Sequence, residues 1–218
     1  LNEYKNEVLP LLKHNSKVIK KVKLSEVIKE KYLKKEAFAF MIYVAYKLVK
    51  DMGFKEDKIR IRQHSPDQLS HYADDAWDIE IKTEKYDWFE LCGVHDRTDY
   101  DLKRHSEYSK KKLDANGEIP HILEIAFGIE RTTYSLIENS MVDDKKRDWL
   151  HFLNDMAPID IGIFPLVNKD NLDKVAKDIY NELDKEFVCI FDNSGSIGRR
   201  YRRMDEIGTS FCITVDYD

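Results

Sequence analysis

The densest cluster of chemically capable side chains is Trp88-Phe89-Glu90-Leu91-Cys92-Gly93. Read as a strand, it has a period of two that puts Trp88 and Glu90 on one face, beside Cys92. A carboxylate held among aromatic rings needs a cation, because burying an unpaired charge costs several kcal/mol. That cation is either a protein arginine or the ammonium group of a small substrate. A second carboxylate, Glu124, ends another short apolar run just before Ala126-Phe127-Gly128-Ile129-Glu130-Arg131. A strand passing through glycine into a helix with an early arginine makes a candidate anion site, since guanidinium offers a planar fork to phosphate oxygens at any working pH. The plainer reading is an ordinary helix start with a surface arginine.

A third constellation is Ser194-Gly195-Ser196-Ile197-Gly198-Arg199-Arg200-Tyr201-Arg202-Arg203. Glycines and serines lead into a helix that carries four arginines and one tyrosine. Free N–H groups at the helix start and the arginines suit phosphates, and the tyrosine could stack on a base. The histidines give less. His64 and His71, and Cys92 with His95, fall short of the ligand number a zinc site requires, so structural roles are expected and no zinc. Neither a Ser/His/Asp order nor a Walker-type loop is present.

The elements that must position these groups follow from periodicity. The stretch 1–35, rich in Lys, Glu, Leu and Val, shows Val18, Val22, Val27 and Ile28 at helical spacing and is expected to form two exposed amphipathic helices. Its lysines read as a solvated face rather than a nucleic-acid arm. Glu36 to Met52 is a more apolar helix closed by Gly53. Lys58–Gln63, Ala76–Thr83 and Asp87–Val94 are strand candidates with no long helix between them, which favours an antiparallel sheet. Asp96 to Lys112 returns to helix-like sequence. Ile119–Ile125 is a strand, Gly128 to Asn139 a helix, and Asp143 to Asn154 a helical linker. From Pro158 a β-α-β-α-β order predicts a small α/β domain: Ile159–Pro165, Asn171–Phe187, Val188–Phe191, Ser196–Ile207 and Ser210–Val215. The expected division is therefore 1–155 and 156–218, with 1–52 mainly helical.

Composition sets outer bounds. With 218 residues, 35% of them charged, and a net charge of −5, the chain suits a globular protein and argues against one coated in nucleic acid, though not against a local basic patch. Three scattered cysteines show neither a disulfide nor a zinc-knuckle spacing, which implies a reducing, cytoplasmic setting. No apolar run reaches membrane-spanning length.

Taken in order, Arg60-Ile-Arg-Gln-His64, His71-Tyr-Ala73, Trp77-Asp-Ile-Glu80, Trp88-Phe-Glu-Leu-Cys-Gly93 and the segment Asp96 to His105 resemble consecutive landmarks of glycyl-tRNA synthetases of the dimeric class II type. Pro120 to Arg131 resembles the class's third signature motif. Gly195 to Tyr201 with Asp205-Glu-Ile-Gly208 resembles the family's anticodon-domain motif. The resemblance is collinear from about residue 36 onward.

It implies an α+β fold: a class II antiparallel sheet flanked by helices, followed by an α/β anticodon-binding domain. It also implies joining glycine to ATP, with magnesium on the phosphates, and transfer of glycine to tRNA(Gly). Glu90, Glu124 and the position of Ala126 would hold glycine, and Arg131, the catalytic arginine, would grip ATP together with Glu124. Arg199, Arg200, Arg202 and Arg203 would contact tRNA. The complete enzyme would be a homodimer. The chain departs from the family in reading Glu124-Ile125-Ala126 where Glu-Pro-Ser is usual, and in having a short connection before Pro120. Motifs 1 and 2 have no counterpart and would lie in an upstream half, so this chain alone is expected to be inactive. The rival reading is a non-catalytic accessory subunit that binds tRNA or DNA.

Overall fold

The computed structural model describes residues 2–144 and 147–217. It divides into two compact units, Leu1–Ser135 and Leu136–Asp218, a division that falls ahead of the expected 155/156.

The first unit is built on a six-stranded sheet: β1 (Val8–Leu12), β2 (Lys20–Lys23), β3 (Ile59–Gln63), β4 (Asp75–Thr83), β5 (Asp87–Thr98) and β6 (Ile122–Phe127), in the order β2-β1-β3-β4-β5-β6. All neighbours are antiparallel except β1 and β3. One face carries Ile59, Ile61, Trp77, Ile79, Ile81, Cys92 and Val94, all buried. Helix α1 (Glu36–Asp51) covers it with Phe38, Ile42, Ala45 and Val49, and ends at Gly53 with φ +95°. Helix α2 (Tyr100–Ser109) follows β5, and α3 (Ile129–Ser140) follows β6.

The helices expected over residues 1–35 are not there. The region forms β1, β2 and turns. Pro10 lacks the N–H a helix interior needs. Leu9, Leu11 and Leu12 are buried as part of the sheet, and Val22 and Leu24 alternate inward between exposed lysines, a period of two. Val18, counted toward the helical spacing, lies exposed.

In the second unit, β9 (Ile161–Pro165), α4 (Leu172–Leu183), β10 (Cys189–Phe191), α5 (Ile197–Ile207) and β11 (Phe211–Val215) form a parallel sheet of order β10-β9-β11. The first strand is central, so the two helices cover opposite faces. Ile161 and Ile163 pack with Ala176 of α4, whereas Gly162 lies against Met204 of α5. The expected helical linker 143–154 is instead a hairpin of β7 (Met141–Asp143) and β8 (Asp148–Leu150), with Lys145 and Lys146 outside the described residues. Its continuation, Leu150 and Phe152, closes on Gly208 after α5, which ties this segment to the second unit.

Candidate functional site

The face of the large sheet turned away from α1 is polar. Cross-strand pairs place Arg60 opposite Glu80 and Arg62 opposite Asp78 between β3 and β4. Glu80, only 5% exposed, accepts from Arg60 Nε at 2.5 Å and Arg62 Nε at 2.7 Å, while Arg62 Nη2 also reaches Asp78 at 2.6 Å. His64 Nε2 lies 2.8 Å from Asp78 Oδ1, and that hydrogen bond raises the His64 pKa. Arg60 also lies over the Trp88 ring, 4.2 Å from its centre.

A bulge decides what stands beside this ladder. Between β4 and β5 the register shifts at Ile79/Glu80, so Glu80 opposes Glu90 while Asp78 opposes Gly93. The extra residue flips the parity of everything after it. Cys92, expected beside Glu90, is turned into the core, where burial pushes its thiol up to about 12. Gly93 takes its place on the polar face. Across the next pair Gly93 opposes Ala126 and His95 opposes Glu124. The result is a floor of Gly93 and Ala126, with Glu90, Glu124 and His95 on the same face around it.

Both carboxylates are already held by arginine. Arg131 Nη1 donates to Glu90 Oε2 at 2.8 Å, and its guanidinium lies 5.6 Å from the centre of the Phe89 ring. The N–H of Gly128 donates to Leu91 O at 3.0 Å, which anchors the start of α3 beside β5. Arg97 Nη1 donates to Glu124 Oε2 at 2.5 Å, while its other nitrogens hold Asp101 at 2.5 and 2.9 Å and its plane rests 4.0 Å over Tyr72. Each arginine takes one oxygen of the glutamate and leaves the other as an acceptor. The Glu90 and Arg131 side chains are 44% and 48% exposed, and pairs that open contribute roughly 0–1 kcal/mol. Such a pair exchanges partners easily, unlike the buried Glu80 ladder.

Arg97, His95 and the Arg60/Arg62 ladder were not singled out from the sequence as site residues. The alternation of Arg60 and Arg62 with isoleucines was the available signal, since two arginines on one strand face require acids opposite. Among the described residues no three or more His, Cys, Asp or Glu side chains gather as metal ligands. The cleft of about 350 Å³ lined by Asn6, Glu7, Tyr46, Lys50 and Glu56 is formed by other residues, and its Lys50 and Glu56 pair with each other.

In the second unit the four arginines of α5 divide. Arg200, expected as a tRNA contact, is 2% exposed and points inward. It donates to the carbonyls of Asn193 and Gly195 at 3.0 and 2.8 Å, of Ser194 at 3.3 Å, and of Pro165. Burial of so long a side chain is offset only because these loop carbonyls need donors. Arg200 therefore shapes the loop and cannot touch a ligand. Arg203 pairs with Asp192 and reaches Ser194 O at 3.0 Å. Arg202 pairs with Glu206 one turn on, at 2.9 Å, and stays 64% exposed. Arg199 is exposed. Tyr201 packs edge-on against Phe164, ring centres 5.3 Å apart, bonds Thr214 Oγ1 at 2.9 Å and stays 37% exposed.

Comparison with known proteins then narrows the reading. Residues 160–218 match the anticodon binding domain family. A glycine–tRNA ligase of Methanococcus vannielii is 31% identical over 298 aligned positions, spanning 97% of this chain and 52% of that protein. One from Pyrococcus furiosus is 33% identical over 302 positions, with 99% and 53% covered. Over nearly its whole length the chain is similar to glycine–tRNA ligases. It spans about half the length of the curated relatives it matches, and since the alignments exceed its 218 residues, the relatives carry intervening segments that it lacks. Among solved structures, a Giardia lamblia prolyl-tRNA synthetase in complex with prolyl-adenylate superposes with a TM-score of 0.57 at 15% identity, over 82% of this chain and 36% of that one. At that identity the likeness concerns the fold, a class II synthetase fold.

Proposed function

We propose that this chain supplies the amino-acid and phosphate-gripping part of a glycine–tRNA ligase, together with anticodon-domain contacts. In this reading Glu90 and Glu124 receive the glycine ammonium group through the oxygens their arginines leave open. Ala126 lies beside Gly93, which the His95 ring covers, and a larger amino acid finds no room there, which is how a site rejects by shape. Arg131, released from Glu90, grips the ATP phosphates, and magnesium arrives with ATP as part of the substrate. The glycine carboxylate displaces pyrophosphate to give glycyl-adenylate, and a hydroxyl of the tRNA terminal ribose then takes the glycyl group as AMP leaves. On α5, the exposed Arg199 and Arg202 are the phosphate contacts, while Arg203 acts through the loop it holds. The complete enzyme is a cytoplasmic homodimer in which the remaining motifs come from the half of the relatives that this chain does not span.

The observation that carries the reading is the grouping of two part-exposed, singly bridged carboxylates around Ala126, whose side chain is a methyl, and Gly93, over which the His95 ring lies. The test is glycine-dependent ATP–pyrophosphate exchange by this chain combined with the part of a relative that it does not span, each piece alone serving as blank. Exchange confined to the mixture is expected. A well-folded mixture without exchange would instead favour an accessory subunit that binds nucleic acid, the reading that Ala126 makes specific.

A further inference from the structure

His95 borders Gly93 and Ala126 and has no task in the proposed function. Its ring lies on Gly93: a Cβ built there would meet His95 Cε1 at 2.9 Å and Nδ1 at 3.5 Å, so only glycine leaves the imidazole its place. Nδ1 is fully buried and has no hydrogen-bond partner, whereas Nε2 is not among the buried unpartnered atoms. The ring is braced edge-on by His64, centres 5.8 Å apart, which is itself held by Asp78. Glu124 faces it across the β5/β6 pair, and its carboxylate is held by Arg97 rather than by the imidazole.

The buried nitrogen fixes the proton. A buried N–H without an acceptor is rarer and costlier than a buried lone pair without a donor, so the ring proton belongs on Nε2. Burial also lowers the His95 pKa, an effect that the Glu124 carboxylate opposes and that the neighbouring His64 and Arg97 reinforce, so the ring is uncharged at neutral pH. A neutral donor beside an acidic pair complements the carboxylate end of an amino acid whose ammonium end meets the two glutamates.

We propose that His95 is a further substrate-contacting residue: its Nε2–H donates to a carboxylate oxygen of the amino acid, in the place a hydroxyl on residue 126 would otherwise serve. This rests on the reading of the face as a glycine site. In glycine-dependent exchange by the complete ligase, His95→Ala raises the KM for glycine roughly tenfold, the worth of one hydrogen bond to a charged group, and leaves the KM for ATP unchanged. His95→Gln, which keeps an N–H at similar reach, retains most of the affinity, and adding Ala126→Ser to His95→Ala restores it. A purely structural role would not give that rescue. Independently of any variant, long-range proton–nitrogen spectra of the wild-type protein should show the Nε2–H tautomer and a shift of that nitrogen on titration with glycine. Wild-type exchange with an unchanged glycine KM in His95→Ala, or a His95 ring indifferent to glycine, would overturn the role of His95 alone. Absence of exchange in the wild type would overturn the reading of the face, and this inference with it.

Discussion

Arginine does two different jobs in the two units. On the large sheet, Arg131 and Arg97 each hold one oxygen of a part-exposed glutamate, an arrangement that can open for a ligand. On α5, Arg200 has the same chemistry but is buried, with its donors spent on four backbone carbonyls of its own unit. The residue type says that a polyvalent donor is present. Burial decides whether that donor serves a ligand or the fold.

The contrast yields a graded set of stability effects. The largest should come from Glu80→Ala, which leaves Arg60 without its carboxylate and Arg62 with Asp78 alone, and should cost about 3 kcal/mol in denaturant unfolding. Arg200→Met removes a buried donor from the carbonyls of residues 165 and 193–195, of which Asn193 O keeps Asn168 Nδ2 and Ser194 O keeps Arg203, and should cost about 2 kcal/mol in the second unit, whereas Arg202→Ala, two residues on along the same helix but solvated, should stay within about 0.5 kcal/mol. Equal effects from the two arginines would break the distinction drawn here. Gly208→Ala, at φ +74° with a new Cβ 2.5 Å from Phe152 Cδ2, should cost about 1–2 kcal/mol and loosen the hairpin segment, measurable as faster amide exchange over 141–152. Arg131→Ala should cost less than about 1 kcal/mol in unfolding while removing exchange activity, the signature of an open pair kept for a ligand.

Much of this was legible in the residues. The apolar spacing of 36–52 with Gly53 behind it specified α1, and isoleucines alternating with Arg60 and Arg62 specified β3. The β-α-β-α-β order from Pro158 follows from short apolar runs separated by amphipathic helices. What was not legible depends on non-local geometry. No local pattern announces the bulge that turns Cys92 inward and Gly93 outward, because it exists only in the pairing of β4 with β5. Residues 8–23 misled because lysines between valines satisfy a period of two and, over a few positions, one of 3.6 as well; Pro10 was the discriminating residue. Arg200 and Arg199 are adjacent and identical in type, and only the helix phase relative to the sheet separates the buried one from the exposed one.

The most direct measurement is the glycine KM in ATP–pyrophosphate exchange for Glu90→Gln and Glu124→Gln in the complete ligase, with unfolding midpoints recorded beside it. If the two carboxylates hold the substrate ammonium group, each variant should raise the glycine KM by roughly tenfold or more while its midpoint stays near that of the wild type. Unchanged glycine affinity with lowered midpoints would contradict the account and leave Glu90 and Glu124 as bridges for Arg131 and Arg97.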